Sequence, residues 1–190
     1  MVLFGNCWGA KAASVVASRG YRPVGARALP DLSGLILTCP ALFTKVDLTF
    51  REKLIIGRDV IFGGNDRRQL DIPIKVEMFT DNAEFIEFIK KDPLRLTSAT
   101  TRFYFENFLL TLRAARAAKH LQLPLLLVQT NNDQIVDCER VQKWFQKVRS
   151  HHKTMHVFPN ASHSIDFDTD WFSAYIKLIT NWLSRLQVSP

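Results

Sequence analysis

Cysteine is scarce in this chain of 190 residues: there are three, Cys7, Cys39 and Cys138. The number is odd and no CxxC pair occurs. That argues against a disulfide framework and a zinc site, and it favours a reducing compartment, the cytoplasm. No apolar run reaches the roughly 18 residues that a membrane span needs. The N-terminal stretch MVLFGNCWGAKAASVVASRG has no basic n-region, and Lys11 interrupts it, so it reads poorly as a signal peptide. Internal repeats and low-complexity segments are absent. Charge of one sign is nowhere concentrated. The 25 Lys+Arg against 18 Asp+Glu give a net +7, but the cations are scattered apart from Arg113, Arg116 and Lys119 and the run His151-His152-Lys153. This reads as a solvated basic surface. A nucleic-acid partner would rest on diffuse charge alone, with no motif of that class.

What is present is an alternation of apolar runs and amphipathic stretches. Val2-Leu3-Phe4 is a short apolar stub, and an Ala-rich helix over 10–19 follows with Gly20 as its C-cap. Residues 34–40 form a continuous apolar run closed by Pro40, as expected of a strand buried on both faces. Residues 44–119 break the rhythm. Asp81-Asn82-Ala83-Glu84 resembles a capping box before a helix that Pro93 stops. A longer helix is expected from about Ser98 to Lys119, with Phe105, Phe108, Leu109 and Leu112 on one face. No strand is expected between these helices, so the stretch reads as an inserted helical cap. The alternation then resumes: strand Leu125–Val128, helix Glu139–Val148, strand Thr154–Phe158, and a final amphipathic helix carrying Trp171, Tyr175, Leu178, Trp182 and Leu186. Such order predicts an α/β fold with a parallel sheet flanked by helices.

Three short segments carry candidate chemistry. Gly5-Asn6-Cys7-Trp8-Gly9 has the form G-x-C-x-G between a strand stub and a helix. That is the pattern of a nucleophile elbow, whose flanking positions must be small. The helix N-terminus favours a thiolate at Cys7, and the backbone N–H of Trp8 is placed to donate to an oxyanion. Taken alone, the pentapeptide serves equally well as a glycine-rich turn with a buried cysteine. Asp133 follows the strand LLLVQT, where open parallel sheets place their sites. Asp137, just before a helix, is better explained as an N-cap. His163 follows the strand ending at Phe158. His120, His151 and His152 read as surface residues and His156 as a packing position. The order nucleophile, acid, histidine, each after its own strand, gives Cys7, Asp133 and His163 the roles of nucleophile, orienting acid and general base.

With these residues in view, the chain resembles the α/β-hydrolase superfamily, in particular its serine aminopeptidase and monoacylglycerol lipase-like branch. LFGNCWGAKAA looks like the elbow and its helix. FTDNAEFIEFIKKDPLRLTSATTRFYFENF resembles the cap, while LPLLLVQTNNDQIVD and FPNASHSIDFD look like the acid and histidine loops. The resemblance implies hydrolysis of ester or amide bonds in acyl, lipid-like or small-molecule substrates, with no metal or other cofactor. Two departures stand out. Cys7 replaces the branch's usual serine, as in dienelactone hydrolase-like members, and a thioester intermediate also opens acyl transfer to acceptors other than water. The chain starts at the nucleophile strand, so the expectation is an N-terminally incomplete domain that a partner chain or longer reading frame completes. An inactive hydrolase-like fragment with a structural or interaction role is the alternative.

Overall fold

The computed structural model of the chain describes residues 1–19 and 32–187. Gly20, expected to cap the first helix, lies outside the described residues. The main sheet has four parallel strands in the order β1 (Val2–Asn6), β2 (Gly34–Thr38), β5 (Leu125–Thr130) and β6 (Lys153–Phe158). Every residue of β2 and β5 is buried, because helices cover both faces of these central strands. On one face lie α1 (Gly9–Arg19), α4 (Thr101–Ala117) and α5 (Cys138–Gln146), packed over Leu35, Leu37, Leu125 and Leu127. On the other, α6 (Phe172–Gln187) lays Leu178, Ile179 and Trp182 over Ile36, Leu126 and Val128. Each such Leu, Ile or Val contributes about 1.5–3 kcal/mol of burial. The alternation read from the sequence is therefore present, with bounds shifted by a few residues.

Helix boundaries follow local chemistry. Asp137 accepts the Arg140 N–H and caps α5, as expected. At the far end, the Lys153 ammonium donates to the carbonyls of Phe145, Gln146 and Val148, a cation placed on orphan carbonyls. Trp144 donates its indole N–H to the Ala114 carbonyl at 2.9 Å and so ties α5 to α4.

Residues 44–119 differ from the all-helical expectation. They hold α2 (Phe50–Ile61), which sequence reading missed, and α3 (Ala83–Lys91). They also hold a two-stranded antiparallel ribbon, β3 (Gln69–Asp71) with β4 (Ser98–Thr100). The long helix therefore begins at Thr101, and the three residues before it are strand. The capping box lies at Thr49 and Glu52, at the start of α2. At α3 only a simple cap forms, with the Asn82 side chain accepting the Glu84 N–H. The buried Asp59 on α2 accepts from Arg58 and Arg68 and anchors the chain leading into β3.

The β1–α1 turn is the tightest junction of the fold. A Cβ on Gly5 would lie 2.7 Å from Ala13 Cβ and 2.8 Å from Ala10 Cα. Only a hydrogen at Gly5 lets α1 approach the sheet this closely, and the fully buried Ala10 completes the contact. Gly9 departs from expectation, because a Cβ there meets nothing within 4 Å. Gly5→Ala should thus cost about 1–3 kcal/mol by overpacking. Gly9→Ala, in the first turn of α1, should be neutral or stabilise by up to about 1 kcal/mol. Thermal denaturation of the two variants checks this, and equal melting points would contradict it.

Candidate active site

The carboxyl ends of all four parallel strands converge. Cys7 follows β1, Cys39 follows β2, Asp133 lies three residues past β5, and His163 lies five past β6. Cys7 has φ 48°, the left-handed region. A side chain with a Cβ pays for that conformation unless the surroundings impose it. Here the Cys7 N–H donates to the Thr38 carbonyl at 3.0 Å, and the Cys7 carbonyl accepts from Ala10 and Ala41. The nucleophile candidate is thus held by its backbone on three sides.

The acid and histidine loops are fastened to each other. Asp133 Oδ1 accepts the N–H groups of Ile135 and Val136, each at 2.8 Å, which leaves Oδ2 for His163 Nδ1 at 2.7 Å. Both side chains are buried, with relative exposures of 0% for Asp133 and 2% for His163. Thr130 Oγ1 donates to the Ala161 carbonyl, and the Asn160 N–H donates to Asn131 Oδ1. Asn160 sits at φ 59°, a conformation asparagine tolerates. The loop after β2 braces the acid loop as well: Lys45 donates its ammonium to the Asp133 carbonyl, and Asp137 donates its N–H to the Phe43 carbonyl. From the opposite side, the Phe79 carbonyl accepts the Ser164 N–H, and Asp81 exchanges hydrogen bonds with Ser162.

Burial pushes the Cys39 thiol well above its ordinary value, and the nearby Asp133 charge adds to this. Burial and Asp133 together push Cys138 up to about 11. For His163, burial works against the imidazolium, but the hydrogen bond to Asp133 and the contact with Cys7 outweigh it and raise the pKa to about 10. Its Nε2 is buried with no well-aligned hydrogen bond among the described residues. Contacts of this kind in resting sites often tighten only when substrate binds.

The structure thus brings Cys7, Asp133 and His163 to one place, and Trp8 with them. Asp137 stays at its helix cap, while His120, His151 and His152 are exposed and distant in role. His156 packs edge-on against Phe158. Cys39, Lys11 and Asn107 escaped sequence reasoning as members of the site. Cys39 places its sulfur within 4.8 Å of ligand atoms of Asp133 and His163. It occupies the same strand-end position as the others, which was the available signal. Lys11, on α1, is 4% exposed and donates to Asn107 Oδ1 at 3.0 Å. Trp8 donates its indole N–H to that same oxygen at 2.9 Å and stacks on Phe103. Beside the site lies a cavity of about 340 Å³ lined by Ile72, Ile74, Val76, Phe79, Ile89, Leu96 and Phe167, with Arg95 and Ser164 as its polar members. The Phe79 ring bounds this cavity and meets the His163 ring edge-on at 5.8 Å.

Known proteins share this arrangement of elements. The sequence matches the family described as serine aminopeptidase, S33, over residues 1–170. It is 30% identical over 139 residues to phospholipase YtpA of Bacillus subtilis (strain 168), an alignment covering 72% of this chain and 52% of that protein. The chain therefore spans about half the length of this curated relative. The monoacylglycerol lipase of Paleococcus ferrophilus superposes with a TM-score of 0.81 at 21% identity, over 97% of this chain and 68% of the other. A soluble variant of monoglyceride lipase from Saccharomyces cerevisiae, crystallised with a substrate analogue, gives 0.76 at 17% identity, over 96% and 61%. With its parallel sheet, strand-end site and family match over most of its length, the chain belongs to the serine aminopeptidase S33 family of α/β-hydrolases.

Proposed function

We propose that this chain carries the catalytic triad of a lipase- or esterase-type acyl hydrolase in which Cys7 is the nucleophile, His163 the general base and Asp133 the orienting acid. The observation that carries the reading is the left-handed Cys7 beside a buried His163–Asp133 pair at 2.7 Å. In this mechanism His163 Nε2 takes the Cys7 proton, and the thiolate attacks the substrate carbonyl carbon. The oxyanion accepts the Trp8 backbone N–H. Collapse expels the alcohol or amine, which receives the proton from His163 and leaves a thioester on Cys7. Water, deprotonated by His163, then cleaves the thioester and restores the thiol. Asp133 accepts the ring's Nδ1–H and stabilises the imidazolium, which the raised pKa of His163 favours once it has taken the Cys7 proton. No metal or organic cofactor enters the scheme.

The apolar cavity beside His163 supports a lipid-like acyl substrate, whose chain lies against Phe79 with its carbonyl toward the site. Residues 44–119 act in this reading as a cap that shapes the pocket. Three unpaired cysteines, one of them a working thiol, suit a reducing compartment, and we assign the chain to the cytoplasm. A second reading, a structural or interaction role, draws on the outer edge of β1, which pairs with no strand among the described residues. An uncovered edge is a template for another strand. Adjoining sequence or a partner chain that covers it completes the hydrolase in the first reading and is the whole purpose in the second.

Two outcomes are expected. In folded protein, iodoacetamide should label Cys7 faster than Cys39 and Cys138, whose thiolates burial disfavours. Asp133→Asn should slow Cys7-dependent ester turnover about 100-fold or more. Labelling led by Cys39 or Cys138 would contradict the assignment. The raised His163 pKa also has a stability consequence. The folded state holds the proton up to about pH 10, whereas the unfolded chain releases it near the ordinary value of about 6.5. The resulting stabilisation is full below about pH 6.5 and is lost as pH rises through about 10. Urea denaturation of wild type and His163→Gln between pH 6 and 10 should show the stability gap narrowing with pH. A constant or widening gap would count against it.

A further inference from the structure

The cavity beside His163 has two polar side chains in its wall, Arg95 and Ser164, and no carboxylate. Ser164 stands next to His163 in the chain. Its N–H donates to the Phe79 carbonyl, while its hydroxyl caps no helix N–H. Arg95 comes from residues 44–119, just past α3. Its N–H donates to the Asp92 carbonyl at 3.2 Å, and Asp92 Oδ1 accepts the Leu94 N–H at 2.9 Å. This turn fixes where the Arg95 side chain starts. The guanidinium itself makes no ion pair or hydrogen bond among the described residues. Its neighbours on α3 differ, because Lys90 pairs with Glu77 and Lys91 with Glu87. Arg95 is exposed, so it lines the cavity at its rim, whereas the Phe79 ring bounds the side that meets His163. A guanidinium keeps its charge at every working pH, and its planar fork matches a carboxylate or a phosphate. In an otherwise apolar pocket, the few polar groups are what orient and select the ligand.

We propose that the cavity selects an anionic amphiphile: an ester whose apolar stretch lies along the cavity and ends in a carboxylate or phosphate that Arg95 holds. The inference rests on the reading of this cavity as the substrate pocket of an acyl hydrolase. A neutral lipid-like ester fills the apolar wall equally well but gives the guanidinium nothing to bind. An ester with a negative charge beyond the apolar stretch uses both. Arg95 stays in contact with water at the rim, so the ion pair is partly screened and discriminates by about tenfold, the low end for a hydrogen bond to a charged group. Arg95 is a specificity residue, since it meets the part of the substrate far from the reacting carbonyl. Its loss therefore shows in KM more than in kcat. The charge belongs either to the far end of the acyl chain or to the alcohol, and the guanidinium serves both in the same way.

The test is calorimetric titration of wild type, Arg95→Gln and Arg95→Lys with octyl phosphate, octanoate and octanol, which needs no turnover. Wild type should bind the two anions about tenfold more tightly than the alcohol. Arg95→Gln should erase that difference, and Arg95→Lys should keep part of it. Melting temperature, measured in parallel, checks that the variants are folded. Two pairs of esters then locate the charge. The p-nitrophenyl monoester of octanedioic acid is compared with p-nitrophenyl octanoate, and a monoacylglycerol phosphate with the corresponding monoacylglycerol. The charged member of at least one pair should be preferred, and Arg95→Gln should raise its KM about tenfold more than that of its neutral counterpart. Equal affinity of wild type for the three alkyl compounds, a preference that persists in Arg95→Gln, or preference for the neutral ester in both pairs overturns the proposal. Turnover that survives in Cys7→Ala, with the binding preference intact, overturns the nucleophile and leaves the anion site standing.

Discussion

The hydrogen bond between His163 Nδ1 and Asp133 Oδ2, 2.7 Å long and closed to solvent, is the constraint around which the rest of the molecule is arranged. A carboxylate in such a place is tolerable only when each oxygen is satisfied. Two backbone N–H groups from the acid loop satisfy one oxygen, and the imidazole satisfies the other. For those donors to converge, β5 and β6 must be adjacent and parallel, and their loops must leave the sheet together. The Thr130–Ala161 and Asn131–Asn160 hydrogen bonds fix that separation. Removing either partner of the pair strands a buried polar group at a cost of about 1–3 kcal/mol or more, so the site and the fold stand together.

The sheet and the strand-end residues were readable because parallel strands buried on both faces announce themselves as short unbroken apolar runs. Gly34–Thr38 and Leu125–Thr130 are such runs. Once they are located, the loop residues just beyond them are the natural candidates for chemistry, and Asp133 and His163 follow from position alone. The ribbon of β3 and β4 was not readable. Three residues per strand carry no periodicity, and its pairing is set by tertiary contacts. α2 hid because its exposed face keeps Phe50, Leu54 and Ile61, which blurs the helical stripe. Its Thr49–Glu52 capping box was the one local signal. Lys11 was opaque for a different reason. A lysine in an Ala-rich helix reads as solvated, and what buries it is α4, whose Asn107 is 96 positions away in the chain.

Residues 44–119 connect to the site through few but specific contacts. Phe79 and Asp81 grip the histidine loop, and Phe103 and Asn107 hold Trp8. The same segment supplies most of the cavity wall. Its packing thus bears on His163, on Trp8 and on the cavity at once. The C-terminal end of α4 belongs instead to the sheet's own core, through Ala114 and, just past the helix, Ala118.

Two thiols lie close to the His163 ring, and the proposed chemistry requires Cys7 to be the one that reacts. Cys39 is fully buried and its ionisation is opposed by burial and by Asp133. Cys7 is partly open and stands at the head of α1, while the left-handed backbone is common to both, φ 48° at Cys7 and 39° at Cys39. The direct measurement is intact and peptide mass spectrometry after brief exposure of the protein to a p-nitrophenyl acyl ester at acidic pH, where thioester breakdown is slow. One acyl group is expected, located on Cys7 and missing from Cys7→Ala. An acyl group on Cys39, or one that persists in Cys7→Ala, would contradict it.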